Sequence, residues 1–286
     1  MKHIAFVGAG SMAEAIINGL ISGGVCLPEH IKVTNRSSRE RLNFLNQAYG
    51  VSVTKNKQET VEGASIIILA MKPKDVKAGI ESIRDYVDSS QVIISVLAGI
   101  SSETIRELFG KELSIIRAMP NTSAAIQRSA TALACNSAVT ADQLKQATGL
   151  FEAIGTVTRV LEHQLDAVTG LSGSGPAYVY YIAEALEKAA AETGLEKETA
   201  KALIAQTLLG AAEMLLTSQK EPALLRKEVT SPGGTTEAGI EKLEEYQVSE
   251  AIAACINRAT ERSQELREIF AKNALKEHIL SDLVQE

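Results

Sequence analysis

Two short glycine-rich clusters carry much of the chemistry this chain can offer. Gly8-Ala9-Gly10-Ser11-Met12-Ala13 follows the strand-like run Ile4–Val7 and opens a helical segment. In such a turn the first glycine permits a tight reversal, the second lets the backbone approach a pyrophosphate, and the small third residue lets helix and strand pack closely. The phosphates would rest on the N–H groups around Gly10, Ser11 and Met12, where the helix dipole favours negative charge. The second cluster, Ser231-Pro232-Gly233-Gly234-Thr235-Thr236, precedes another helical segment, and its glycine pair frees backbone N–H groups in a nest that suits a carboxylate. A related stretch, Leu171-Ser172-Gly173-Ser174-Gly175-Pro176-Ala177, also stands before a helix, with Pro176 at a first helical position. Taken alone, these last two segments read equally well as helix starts without a ligand.

About 20 residues after the first cluster, Asn35-Arg36-Ser37 closes the second strand-like run. A site for NAD usually has Asp or Glu there for the ribose 2′-hydroxyl, whereas an arginine can pair with a 2′-phosphate. Neutral and cationic groups at this place favour NADPH, with NADH the alternative. Open α/β sheets bind ligands beyond the carboxyl ends of their strands, so Ala70-Met71-Lys72-Pro73, Ala98-Gly99 and Met119-Pro120-Asn121-Thr122 would face the same dinucleotide.

Short β-branched runs alternating with amphipathic segments must position these groups. The strand candidates are 4–7, 31–35, 51–54, 65–70, 91–97 and 114–119, with 131–135 and 156–160 extending the sheet at one edge. Helices are expected over 12–22, 38–49, 74–86 and 102–109. From residue 163 the β-branched runs give way to Ala, Leu, Glu and Lys, with helices near 176–193, 197–218, 222–229, 235–245 and 249–272. The pattern predicts an α/β chain: a Rossmann-type doubly wound sheet over 1–162, then an all-helical domain over 163–286. One helix, Ala200–Leu216, is apolar nearly all round and needs neighbours on every side. A domain of its size can hardly surround it, which predicts a helical dimer interface in preference to an ordinary core helix.

The 286 residues include 29 Lys and Arg against 35 Asp and Glu, a net charge of −6. No basic run offsets this acidity, so nucleic acid is excluded as a partner. Hydrophobic residues make up 45% but aromatics 4%, with no Trp, so aliphatic packing must build the core. Three widely separated cysteines fit neither a disulfide framework nor a metal site. The first strand begins at once and the longest unbroken apolar run, near 66–71, cannot span a bilayer, so we expect a soluble cytoplasmic protein without a membrane partner.

GAGSMA, AMKP at 70–73, MPNT at 119–122, DAVTGLSGSGPAY at 166–178 and SPGGTT at 231–236 resemble, in order and separation, the pyrroline-5-carboxylate reductase family. The resemblance implies a Rossmann domain followed by a helical domain that interlocks as a homodimer, often built further into decamers. It also implies reduction of 1-pyrroline-5-carboxylate to L-proline, the last step of proline biosynthesis, with NAD(P)H. On this resemblance Ser231, Gly233 and Gly234 hold the substrate carboxylate with Thr235 nearby, and Thr236 sets its hydroxyl against the ring nitrogen. Lys72 and Pro73 border the nicotinamide, and Asn56 is a polar cofactor contact. Met71 stands where valine is usual, and Glu228 where some members carry a neutral residue.

The chemistry is consistent with the residue types. A ketone acceptor needs a placed acid, yet none of His3, His30, His163 and His278 falls in a motif. A cyclic imine can enter protonated and accept hydride at C5, so a hydroxyl and a carboxylate clamp suffice. Two other readings compete. A β-hydroxyacid dehydrogenase would need a helix lysine that Lys188 places more than a turn out of register. A dinucleotide sensor without turnover would have no need of SPGGTT.

Overall fold

The computed structural model describes residues 3–282, the last ten of them by backbone alone. Eight strands form one sheet: β1 (Ile4–Val7), β2 (Ile31–Thr34), β3 (Ser52–Val53), β4 (Ile66–Leu69), β5 (Val92–Ser95), β6 (Ser114–Met119), β7 (Ser129–Cys135) and β8 (Gly155–Arg159). Their order is β3-β2-β1-β4-β5-β6-β7-β8. Pairing is parallel throughout except between β6 and β7, where the short connection 120–128 leaves no room for a crossover helix. The two late strands do extend one edge.

The doubly wound topology follows from the side chains. Ile4 and Phe6 enter one core cluster, Ala5 and Val7 the other, so β1 is covered on both faces, as a parallel sheet requires. Neighbouring β4 repeats the pattern with Ile66 and Ile68 against Ile67 and Leu69. Around the sheet lie α1 (Ser11–Ser22), α2 (Arg39–Tyr49), α3 (Lys57–Val61), α4 (Val76–Glu81), α5 (Ser102–Phe109) and α6 (Ala141–Glu152). Ser38, Ser101 and Thr140 cap α2, α5 and α6 with side-chain oxygens.

Several segments, the short α3 among them, differ from expectation. The single helix predicted over 74–86 is a short α4 between two 3-10 turns, and the Ser82 hydroxyl donates to the Gly79 carbonyl at 2.7 Å, competing with helix continuation. Helix α6 was not expected, although Leu144, Ala147, Leu150 and Phe151 recur at helical spacing. The glycine-rich stretch at 171–175 is no loop: α7 (Leu165–Val168) continues into a π-helical turn, Thr169–Gly173, closed by Ser174 N donating to Thr169 O at 2.9 Å. Such wide turns concentrate at functional sites.

The chain divides into two compact units, residues 1–174 with 258–286 and residues 175–257. The second contains α8 (Gly175–Glu192), α9 (Lys197–Thr217), α10 (Pro222–Glu228), α11 (Thr235–Glu245) and the beginning of α12 (Val248–Asp282), which runs beyond the predicted end at 272. The division by compactness falls about ten residues after the change of texture at 163. In the first unit, α12 returns to the sheet: Phe270 packs on the second core cluster, and Ser263 Oγ donates to the buried Asp166 at 2.7 Å.

The second unit has almost no interior of its own. Among the described residues α8 and α11 bury none, and α9 buries only Ala200. Leu209 is 52% and Leu216 81% exposed. These exposures eliminate the ordinary core helix as a reading of α9. By length and composition α9 could also cross a membrane, which a search for unbroken apolar runs misses because Lys201, Gln206 and Glu213 interrupt it.

Candidate dinucleotide and carboxylate sites

The strand order reverses between β1 and β4, and the first glycine cluster lies at that switch point. Gly8 has φ +119°, and a Cβ there would stand 2.4 Å from the carbonyl carbon and oxygen of Ala70. The glycine therefore serves close approach between the ends of β1 and β4 as well as the turn. Gly10 is the N-cap of α1 without any side-chain cap, and Gly10 and Ser11 are exposed. The first-turn N–H groups thus face open space, with Met12 half-buried beside them.

Arg41, which sequence reading did not single out, fixes this turn. Its Nε donates to Ala9 O at 2.7 Å and its Nη2 pairs with Glu14. The Tyr49 hydroxyl donates to the same carboxylate at 2.9 Å; burial and then that bond hold the phenol above its usual range. Glu14 stands in the first turn of a helix expected to receive phosphate. A carboxylate in that place was the clue that a cation must accompany it.

At the end of β2, Asn35 Nδ2 donates to Ser38 O at 2.7 Å while its Oδ1 is buried without a partner. Lys57 donates to Thr34 Oγ1 at 2.8 Å and Asn35 O at 2.6 Å, and burial, aided by Lys55, pushes its amine below the usual range. Arg36 lies in the exposed turn beyond β2 and binds Asp75 Oδ1 at 2.6 Å. Asp75 ends the 3-10 turn that begins at Pro73, so the segment after β4 brings Met71, Lys72 and Pro73 to the same end of the sheet. Ala98 is half-buried in the turn after β5, where Gly99 has φ +72°.

Two expected cofactor contacts also make bonds within the frame. Asn56 caps α3, accepting from Glu59 N at 3.2 Å. Asn121 accepts from Ser123 N and donates to Ser172 O, both at 3.1 Å, tying the end of β6 to the π-helical turn. These side chains are employed in building the frame.

In the second unit, Gly234 is the N-cap of α11, so Thr235 and Thr236 are its first two residues. Gly233 has φ +72°, favouring glycine, and a Cβ on Gly234 would lie 2.9 Å from Ser231 O. Ser231, Gly233, Thr235 and Thr236 are all exposed. A carboxylate already sits on this loop, since Glu237 Oε2 accepts from Gly233 N at 2.6 Å. Among the described residues no group of His, Cys, Asp and Glu is arranged to hold a metal ion. The arrangement offers anion cradles of two kinds, one at the sheet and one at α11.

A family model described as pyrroline-5-carboxylate reductase dimerisation matches residues 162–266, and one described as NADP oxidoreductase coenzyme F420-dependent matches residues 3–99. Pyrroline-5-carboxylate reductase 2 of Bacillus subtilis (strain 168) is 54% identical over 278 residues, 97% of this chain and 100% of that protein. Among solved structures, a pyrroline-5-carboxylate reductase from Coxiella burnetii is 40% identical with a TM-score of 0.87, covering 93% of this chain and 98% of that one. The pyrroline carboxylate reductase of Plasmodium falciparum, solved with NADP bound, is 27% identical with a TM-score of 0.84 over the same shares.

Proposed function

The chain belongs to the pyrroline-5-carboxylate reductase family, and from that premise we propose how its own residues reduce 1-pyrroline-5-carboxylate to L-proline. The observation that carries this reading is the α11 loop, where the backbone N–H of Gly233 already receives a carboxylate, that of Glu237, beside two threonine hydroxyls. Ser231, Gly233 and Gly234 take the substrate carboxylate, with Thr235 alongside. Thr236 sets its hydroxyl at the ring nitrogen, steadying an imine that enters protonated.

The dinucleotide site fits a nicotinamide cofactor: a first turn with open N–H groups, a glycine where any Cβ would collide, and an unpartnered acceptor at Asn35. When bound, the cofactor supplies the hydride, and the protein supplies position and charge. Gly10, Ser11 and Met12 hold the pyrophosphate, Asn35 and Arg36 the adenosine end, and Ala70, Met71, Lys72, Pro73 and Ala98 the nicotinamide side. Arg36 favours NADPH. Residues 1–162 bind the dinucleotide, and residues 163–286 bind substrate and form a cytoplasmic homodimer through α9, the building block of larger assemblies such as a decamer.

The test follows NADPH absorbance with pyrroline-5-carboxylate and, in parallel, NADP reduction with a small β-hydroxyacid. Turnover of the imine is expected; turnover of the hydroxyacid alone overturns the reading. Thr236→Ala is expected to lower kcat/KM by about 10²-fold, the lower end of the range for a positioned proton-handling group. Full activity in that variant removes Thr236 from its role.

A further inference from the structure

Read along the chain, the end of β2 offers no acid to discriminate against a 2′-phosphate. The structure brings one from 39 residues away: Asp75 Oδ1 lies 2.6 Å from Arg36 Nη1. Asp75 stands just before α4 but makes no side-chain cap there, and it is less exposed than Arg36, 23% against 71%. Its carboxylate is therefore the sheltered member of the pair and Arg36 the solvent-exposed one. We propose that Asp75 is a specificity-determining residue for the dinucleotide, neutralising Arg36 and opposing the 2′-phosphate so that NADH is accepted beside NADPH.

The inference rests on the assignment of Arg36 to the adenosine end of the cofactor. Its physical basis is simple. A 2′-phosphate approaching Arg36 must share the guanidinium with a carboxylate of its own sign, whereas a ribose hydroxyl carries no charge to be repelled. A hydroxyl also finds a matching partner, because Asn35 Oδ1 is a buried acceptor without a donor. Lys57 keeps its charge while two of its donors hold it on Thr34 Oγ1 and the Asn35 carbonyl, so it acts alike in the parent and in the Asp75 variant and cancels from the comparison. An exposed ion pair of this kind contributes up to about 1 kcal/mol, which corresponds to about a fivefold change in an equilibrium constant. The contribution is too small to block NADPH and large enough to tilt the choice.

The experiment measures kcat/KM for NADPH and for NADH with pyrroline-5-carboxylate as acceptor, and the Kd of each reduced cofactor from nicotinamide fluorescence. It uses the full-length assembled protein, Asp75→Asn, Arg36→Gln and the double variant. Asp75→Asn is expected to raise the NADPH to NADH ratio by about fivefold, through KM and Kd for NADPH, with the gain shrinking in 0.5 M KCl (about 4 Å screening length). Arg36→Gln is expected to lower that ratio, and in its background Asp75→Asn should raise it again, because the carboxylate repels the 2′-phosphate with or without the arginine.

If Arg36→Gln lowers the ratio while Asp75→Asn leaves it unchanged, the role given to Asp75 is wrong and the cofactor site stands. If neither variant alters ratio or Kd, the placement of Arg36 at the cofactor falls too. Equal loss of both cofactors in Asp75→Asn means that the residue merely holds the 3-10 turn in shape, which also overturns the proposal.

Discussion

Gly8 concentrates several demands in one position. Its φ of +119° is strained for any other residue, and the Ala70 backbone occupies the space of a Cβ at 2.4 Å. Since that obstacle is backbone, it cannot swing aside, and Gly8→Ala must separate β1 from β4 or distort the turn. The substitution is expected to cost more than about 3 kcal/mol in urea unfolding and to abolish dinucleotide binding. Binding that survives with unchanged stability would contradict this account. Motif residues such as Gly8, Gly10 and Arg36 could be found in the sequence because a short local pattern carries their purpose. Arg41, Asp75 and Lys57 could not, since each acts on backbone or charge that arrives from another element. Asn121 and Asn56 show that a polar residue near a site can also serve the frame, by capping and tethering.

The strands were readable because a sheet buried on both faces requires unbroken runs such as Ile66–Leu69, with no polar face to blur them. The π-helical turn was not, because glycine and serine are the residues of loops and nothing local reveals a bond spanning five residues. Its approach is stabilised by Asp166, which accepts from Ser263 and lies 3.4 Å from Arg267 Nε, both on α12. Asp166→Ala leaves a buried hydroxyl without an acceptor and is expected to cost about 2–4 kcal/mol in denaturant unfolding. Ser263→Ala should cost about 1 kcal/mol, and the double variant less than the sum of the two, because the partners are removed together. Strict additivity would show that the two residues do not interact.

Exposed leucines along α9 make a self-sufficient monomer a poor solution. A buried leucine contributes about 1.5–3 kcal/mol, and a twofold interface counts every substitution twice. Leu209→Glu is accordingly expected to weaken self-association by about 10²- to 10⁴-fold, seen as a shift to monomer in sedimentation velocity. A variant that remains assembled at low concentration would place the interface elsewhere. The need for a partner was visible in the sequence, since α9 is apolar nearly all round. The division into units was not, because it depends on where α12 goes after residue 257.

That return of α12 has a consequence for biosynthesis. The sheet unit is interrupted: Ser263 and Phe270, which complete its interior, are separated from residue 174 by the whole helical unit. On a translating ribosome the sheet would wait for roughly 90 to 100 further residues, about 5–20 s at ordinary elongation rates, with Asp166 unpaired and part of one core face uncovered. Until the last helix emerges, the nascent first unit therefore keeps part of its apolar interior open.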